Sequence, residues 1–189
     1  IDMLSHVRAK FGRAALSIEV HLWIRELTRL GRAATGSPEF IWDDDGLRLT
    51  DIDGAPATFL PAVYCRHCNR SGWGVALAPT GWELDADDTT IRRRNQRGDN
   101  RFRALIHAPV EAATYDPTAE PDPQAASRLA WLIVQERQVS LSPPSEKDRE
   151  EGNALPILAL VGDTAGAGSV NDTCPSCGQA DGIRFLGSA

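Results

Sequence analysis

The sequence predicts an α+β fold in which a zinc ribbon, built on β-hairpins, is flanked by amphipathic helices. Three observations support this fold class. All four cysteines lie in two CxxC pairs, at 65–68 and 174–177. The apolar run that precedes the first pair is typical of a strand. Apolar residues at three- and four-residue steps in segments 2–16 and 125–139 are typical of amphipathic helices.

The first 36 residues are expected to form an N-terminal helical segment. Residues 2–16 show one apolar helical face, with basic residues between the apolar positions. Residues 20–34 fit both an alternating strand and a helix, and we interpret them as a strand that enters a helix. Residues 37–189 then form an α+β domain that carries both cysteine pairs.

Two hairpins are predicted at the start of that domain. Residues 38–42 form a strand, the acidic segment 43–46 a turn, and residues 47–52 a returning strand. After a turn at Asp53 and Gly54, the apolar run 59–64 leads directly into the first cysteine pair. Because a strand fixes the direction of the side chains at its end, it is suited to deliver cysteines to a metal.

The first hairpin of the ribbon is predicted over residues 62–77. Residues 79–100 are polar and turn-rich, and residues 114–124 hold three prolines, which favours a linker or surface loop. Residues 125–139 are predicted to be a helix because apolar side chains recur at helical spacing. The other predicted elements are a strand at 102–110, a charged short helix or loop at 142–152, and a strand at 155–161.

The cysteines carry the clearest chemical prediction. Two residues between cysteines allow one tight turn to aim both sulfurs at the same ion, so each pair resembles a zinc knuckle. Four thiolates fill a tetrahedral shell and leave no open position, so Cys65, Cys68, Cys174 and Cys177 are predicted to hold one structural Zn²⁺ ion. Because 105 residues separate the pairs, the ion would join distant parts of the chain.

Other interpretations of the cysteines are less well supported. Two disulfides would suit a secreted protein, but no signal peptide is recognisable and neighbouring CxxC cysteines make poor cross-links. One pair could remain as buried free thiols, or act as a thiol–disulfide enzyme, although two pairs argue against the latter. His67 lies inside the first pair, where a knuckle turns its side chain outward, so it is not expected to be a ligand.

Composition narrows the class of protein further. The hydrophobic content of 42% is enough to build a core, and no apolar run reaches the roughly 18 residues of a membrane span. We therefore expect a cytoplasmic protein without a membrane partner. The net charge of −6 does not suggest a free-standing, general nucleic-acid binder, which is usually basic.

Arginines are nevertheless concentrated in one segment, where they can contact phosphates. The alternative is a solvated loop balanced by the nearby aspartates. A second candidate set lies at the first knuckle, beside Trp73, whose packing under the ribbon is favoured over stacking on a base. The candidate nucleic-acid-binding residues are Arg66, Arg70, Arg92, Arg93, Arg94, Arg97 and Arg101, with Arg103 in the same segment.

Three segments together resemble one region of large bacterial DEAD/DEAH-box helicases of superfamily two. They are HLWIREL at 21–27, LPAVYCRHCNRSGW at 60–73 and CPSCG at 174–178. In that family a cysteine-rich, zinc-binding accessory domain lies beyond or between the motor lobes. Residues 183–189 look like the motif with which the chain re-enters the helicase body.

The resemblance implies a connection to a helicase through residues 1–36 and work on DNA, in phage-defence or DNA-repair settings. Its partners would be the rest of the helicase polypeptide and, through it, DNA. One departure is Asn69, which stands where a glycine is expected after the first pair, although asparagine tolerates the same left-handed conformation.

No ATPase motif is found in this sequence. The glycine-rich segment 162–168 lacks the lysine and hydroxyl residue of a phosphate-binding loop, and there is no DExH box. The resemblance thus implies a structural zinc-binding accessory domain of an ATP-dependent DNA helicase, and the missing motifs imply that it is not catalytic by itself. The alternative is a zinc-stabilised module that binds a protein partner and no nucleic acid.

Overall fold

The computed structural model describes residue 10 and residues 29–42, 51–52, 55–85, 87–116, 118–119, 127–160 and 172–187. Within these residues there are eleven strands and three helices. The strands are β1 (Leu30–Ala33), β2 (Phe40–Trp42), β3 (Asp51–Ile52), β4 (Ala55–Pro56), β5 (Phe59–Cys65), β6 (Ser71–Ala76), β7 (Phe102–His107), β8 (Ser127–Ile133), β9 (Gln138–Ser140), β10 (Ala154–Leu160) and β11 (Ile183–Phe185). The helices are α1 (Asp88–Gln96), α2 (Pro109–Ala113) and α3 (Glu146–Glu150).

One antiparallel sheet dominates the fold. Its strand order is β2-β1-β5-β6-β7-β10-β8-β9, and β11 pairs with β5 outside this path. β1 pairs with the first half of β5, whereas β11 pairs with its second half along the same edge. β3 and β4 form a separate two-stranded ladder. The predicted α+β class is therefore confirmed in coarse form, as a mostly antiparallel sheet with few helices.

The central strands are buried on both faces of the sheet. Because successive side chains of a strand point to opposite faces, Leu105 and Ile106 of β7 enter different hydrophobic clusters. The first cluster contains Trp73 and Ile157, and the second contains Cys65. The first cysteine pair thus starts from within the core on one face of the sheet.

Helix α1 covers the face of the sheet that carries Cys65, and it contacts β5, β6 and β7. Asp87 caps the helix by accepting a 2.8 Å hydrogen bond from the Thr90 amide, and Asp88 pairs with Arg92 one turn later. Ile91 is its buried residue. The sequence predicted only a polar, turn-rich segment here, because a single apolar side chain produces no periodicity.

The predicted helix over residues 125–139 is wrong. β8 and β9 occupy this segment and form a hairpin, with Arg137 at a positive φ of 50° in the turn. Alternate side chains of β8 enter two different clusters, so the strand is apolar on both faces. A short, continuous apolar run of this kind cannot be assigned to helix or strand by periodicity alone.

Two N-terminal predictions also need correction. Residues 30–33, predicted as part of a helix, form β1, which pairs with β5 inside the main sheet. β2 pairs with β1 rather than with the returning strand 47–52, whose described residues pair with β4. The predicted helix 2–16 lies outside the described residues except for Lys10, and so do the acidic turn 43–46 and the glycine-rich segment 162–168.

Several predicted elements are confirmed. β5, β6 and their hairpin and β10 lie within one residue of their predicted positions, and residues 142–152 contain the short helix α3. β7 begins at its predicted residue but ends three residues early, because α2 starts at Pro109. Ser145 caps α3 through a 3.1 Å hydrogen bond from the Asp148 amide. None of the helices in the described residues is long and apolar enough to cross a membrane.

Strands β6 and β7 approach closely at Gly72, where a Cβ would overlap the backbone carbonyl of Leu105. Gly72→Ala is therefore expected to lower the free energy of unfolding by about 3 kcal/mol, because two central strands must separate. Gly36→Ala is the matched control, since no atom lies within 4 Å of the position that a Cβ would take there. Chemical denaturation measures both, and equal effects of the two substitutions would contradict this account.

Candidate metal centre

The first CxxC pair forms the tight turn between β5 and β6. The Cys65 amide donates to the Arg70 carbonyl at 2.8 Å, and the Asn69 amide donates to the Cys65 carbonyl at 2.9 Å. The His67 amide points at the Cys65 sulfur, 3.4 Å away. This turn, residues 65–70, is called the first knuckle below. It fixes two sulfurs at the end of a buried strand.

The second CxxC pair, in residues 174–179, has the same geometry and is called the second knuckle. The Cys174 amide donates to the Gln179 carbonyl at 3.0 Å, and the Gly178 amide donates to the Cys174 carbonyl at 2.9 Å. The Ser176 amide lies 3.4 Å from the Cys174 sulfur. The fifth residue of each knuckle has a positive φ, 59° at Asn69 and 70° at Gly178. Asparagine therefore serves in the first knuckle as glycine does in the second.

Strand β11 brings the second knuckle to the first. It pairs with β5 so that Ile183 lies opposite Cys65, and the Arg66 amide donates to the Gly182 carbonyl at 2.9 Å. A Cβ at Gly182 would lie 3.2 Å from the Cys65 sulfur and 3.0 Å from the Gln179 carbonyl oxygen. Glycine at this position therefore permits the close approach of the two knuckles.

The four sulfurs lie within 4.8 Å of one another, as predicted for one shared ion. The Cys65 and Cys177 sulfurs are 3.7 Å apart, and those of Cys68 and Cys174 are 3.8 Å apart. These separations are far longer than the roughly 2.05 Å of a disulfide, and all four cysteines are free. The cluster can therefore hold a metal ion. His67 is exposed and is not part of the cluster.

The thiols have very different proton affinities. Burial raises the pKa of Cys174 to about 12. Burial also acts to raise the pKa of Cys65, but hydrogen bonds from the amides of Cys68 and His67 and from the thiols of Cys174 and Cys68 together outweigh it, and the pKa falls to about 7. Four thiols in such close contact cannot all ionise without a compensating cation, because like charges disfavour one another. A divalent ion bound among them supplies that compensation.

Arg70, a candidate for nucleic-acid binding, is instead engaged inside the protein. Its guanidinium forms a bidentate ion pair with Glu111 of α2. It also donates to the Ser176 hydroxyl at 2.9 Å and to the His107 carbonyl at 2.8 Å. Arg70 therefore links the first knuckle to the second knuckle and to α2. Long-range contacts of this kind leave no signal in the local sequence, so Glu111 and Ser176 were not predicted.

Most of the other candidate arginines also have partners. Arg66 pairs with Asp181, and Arg92 pairs with Asp88 at 2.9 Å and lies 4.8 Å from the centre of the Phe185 ring. Two of the others share one carboxylate. Asp85 lies 3.2 Å from Arg94 and 3.5 Å from Arg101.

Arg93 and Arg97 differ from the rest of the arginine segment. Both side chains are exposed on α1 or at its end, and neither forms an ion pair within the described part of the chain. Arg103 donates to the backbone carbonyl of Phe102 at 2.7 Å. Within the described residues, Arg93 and Arg97 are thus the two arginines of the segment that are exposed and form no ion pair. The solvated loop considered above is in fact a capped helix.

Trp73 is fully buried, and its indole N–H donates to the Ala33 carbonyl at 3.0 Å. The preference for packing over base stacking is therefore confirmed.

Comparisons of this chain with protein-family models, with curated proteins and with solved structures found no match in any of the three.

The equivalence of the knuckles can be tested at their positive-φ residues. Gly178→Ala and Asn69→Ala are each expected to lower the free energy of unfolding by about 1–2 kcal/mol, because alanine is strained in this conformation. The control Asn69→Gly relieves that strain and should leave stability nearly unchanged. Denaturant titration of the metal-loaded protein measures the effects. A Gly178→Ala variant as stable as the wild type would show that the second knuckle does not adopt this turn.

Proposed function

We propose that the four cysteines bind one Zn²⁺ ion in a closed tetrahedral shell, and that this ion is structural. Zinc–thiolate bonds of about 2.3 Å place the sulfurs of a tetrahedral shell about 3.8 Å apart. The sulfur separations of 3.7 and 3.8 Å between the knuckles agree with this value. A tetrahedral all-thiolate donor set suits zinc or iron among the common biological metals, and zinc is the usual occupant of paired CxxC knuckles.

A structural role follows from the number of ligands. Four protein thiolates leave no position for water or substrate, so the ion supplies cross-linking rather than chemistry. The ion joins the end of β5 to the chain that precedes β11. It thereby holds both knuckles, and the residues that project from them, in a fixed arrangement.

We further propose that this domain is an accessory domain of an ATP-dependent DNA helicase. The support is the resemblance of the segments at 21–27, 60–73 and 174–178 to that family, and two of these segments contain the knuckles. The rest of the helicase polypeptide would be its main partner and would carry ATP hydrolysis. The domain would present a rigid surface that guides DNA as it leaves the motor.

The DNA-facing surface in this proposal is the outer side of α1. Arg93 and Arg97 are exposed there, and Arg66 is exposed on the first knuckle, although it is paired with Asp181. Helix α1 packs on the same sheet face as the cysteines. The zinc centre would therefore set the position of the surface on which these guanidinium groups stand.

One observation favours the alternative function, a zinc-stabilised module for a protein partner. Five of the seven candidate arginines are paired with carboxylates, and the chain has a net charge of −6. A surface of this kind attracts phosphates weakly and suits a protein partner. DNA binding by the purified domain decides between the two functions.

The metal proposal predicts one zinc ion per chain in protein purified without chelator, measured by elemental analysis. Cys174→Ala is expected to abolish stoichiometric zinc and to lower the thermal midpoint, because three ligands remain and two chain segments are released. His67→Ala is the matched control, since His67 lies in the knuckle but outside the cluster, and it should retain one ion. If the analysis finds one iron per chain, the bound ion is iron rather than zinc. If the protein is fully folded without any metal, the metal proposal is refuted.

The DNA proposal predicts a salt-dependent affinity for single-stranded DNA, measured by fluorescence anisotropy at several salt concentrations. Each phosphate contact contributes about 0.7 to the slope of log affinity against log salt, so Arg93→Gln with Arg97→Gln should reduce the slope by about 1.4. Lys147→Gln with Arg149→Gln removes the same charge from α3 and should change the slope little. Equal effects of the two pairs would show that these arginines do not contact DNA, and no binding at all would favour the protein-partner function.

A further inference from the structure

An open cavity of about 490 Å³ lies beside the first knuckle. Its volume is in the range of small-ligand sites in proteins. Its lining includes the chain that leaves the knuckle and enters β6, and also the end of β7 with the start of α2. The residues that matter for its chemistry are Arg32, Asn69, Arg70, Ser71, His107 and Glu111.

Arg32 in this cavity is a buried cation without a described counter-charge. Its side chain is on β1, the residue is only 3% exposed, and its guanidinium lies 4.5 Å from the centre of the Trp73 ring. Its hydrogen-bond partners are neutral: the Ser71 hydroxyl at 2.9 Å and His107 Nδ1 at 3.3 Å. No carboxylate in the described ranges pairs with it, and its Nε has no partner.

Such an arrangement is costly unless an anion completes it. A buried charge normally pairs with an opposite charge, because removing it from water costs several kcal/mol. Arginine is not relieved by deprotonation at neutral pH, although burial lowers the pKa of Arg32. The aromatic face of Trp73 compensates only part of this cost. The missing interaction is therefore one with a negatively charged group.

The hydrogen bonds of Arg32 also orient its neighbours as donors. Arginine cannot accept a hydrogen bond, so His107 accepts at Nδ1 and its neutral ring carries the proton on Nε2. The Ser71 hydroxyl accepts from Arg32 and keeps its own hydrogen free to donate. Both oxygens of Glu111 already accept from Arg70. The cavity wall therefore offers donors, and the Glu111 carboxylate is already engaged by Arg70.

Among the residues that line the cavity, the charges sum to a positive value near neutral pH. Burial and the nearby charges of Arg32 and Arg70 lower the pKa of His107, so its ring is neutral. The hydrogen bond from Arg70 lowers the pKa of Glu111, so that carboxylate is ionised and cancels the charge of Arg70. The guanidinium of Arg32 remains as the uncompensated charge.

We propose that this cavity binds a phosphate group. Guanidinium, hydroxyl and imidazole groups line one space, and a phosphate presents several acceptor oxygens with a geometry that suits arginine. The phosphate can belong to a nucleic-acid strand or to a free, phosphate-bearing small molecule. Because one wall continues directly from the first knuckle, the metal centre holds the shape of the cavity.

The test is a titration of the metal-loaded chain with inorganic phosphate, followed by calorimetry and by backbone amide NMR shifts. We expect saturable binding, with shifts at Arg32, Ser71 and His107. Arg32→Gln should weaken binding about tenfold or more, because a charged donor is lost. The exposed residue Arg149 provides the matched control, and Arg149→Gln should bind phosphate like the wild type.

Two results would overturn the proposal. One is the lack of saturable phosphate binding by the wild type, and the other is an unchanged affinity in a folded Arg32→Gln variant. If Arg32→Gln does not fold, Ser71→Ala decides, because it removes one donor and leaves the strand intact. Phosphate affinity equal to the wild type in Ser71→Ala would then refute the proposal.

A second arm identifies the source of the phosphate, and this arm rests on the proposed DNA function, whereas the first arm rests only on the proposed metal centre. Single-stranded DNA is compared with the same oligonucleotide carrying uncharged methylphosphonate linkages. If Arg32→Gln weakens binding of the charged strand, the source is a nucleic acid. If inorganic phosphate binds but DNA does not, a free phosphate-bearing molecule is the source, and the DNA proposal fails while the cavity assignment stands.

Discussion

The pairing of β11 with β5 is the interaction on which the rest of the structure depends. One edge of β5 is divided between two strands that lie far apart in the sequence: β1 along its first half and β11 along its second half. The second half ends at Cys65, directly opposite Ile183. The ladder therefore delivers the second knuckle to the first, and the sulfur cluster is a consequence of strand pairing.

A bound ion would reinforce this pairing from outside the sheet. A cross-link that closes a loop of about 100 residues removes unfolded-state entropy worth about 4.7 kcal/mol in the chain-entropy model. Arg70 adds a second connection between the same two knuckles through Ser176, and a third to α2 through Glu111. The pairing of β11 with β5 and the Arg70 guanidinium thus restrain one junction, and a bound ion would restrain it further. That junction also forms one wall of the Arg32 cavity.

The sequence was informative where the chemistry is local. CxxC spacing identifies the four cysteines, the strand before the first pair is a clear apolar run, and Asn69 fits a position that needs a positive φ. Prediction from the sequence failed where distant neighbours decide whether a segment forms a helix or a strand. β8 resembles a helix because both its faces are buried, and α1 shows no apolar face because only Ile91 enters the core. A capping aspartate followed by Asp88 and Arg92 was the available signal for that helix.

The roles of individual arginines were beyond prediction for the same reason. Arg70 and Arg93 are equivalent as letters in a sequence, yet one is held by Glu111 and the other is exposed. No sequence pattern marks Arg32, although its side chain is buried at a cavity. Its surroundings come from β6 and β7, which lie about 40 and 75 residues further along the chain. Only tertiary structure assembles them.

The wide spacing of the two knuckles has a consequence for biosynthesis. A ribosome adds about 5–20 residues per second, so the first knuckle emerges roughly 5–20 s before the second. During that interval Cys65 and Cys68 lack the other two cysteines of the cluster. β5 to β10 can pair in the meantime, whereas β11 cannot. The sulfur cluster can therefore be completed only after the second knuckle and β11 have been synthesised.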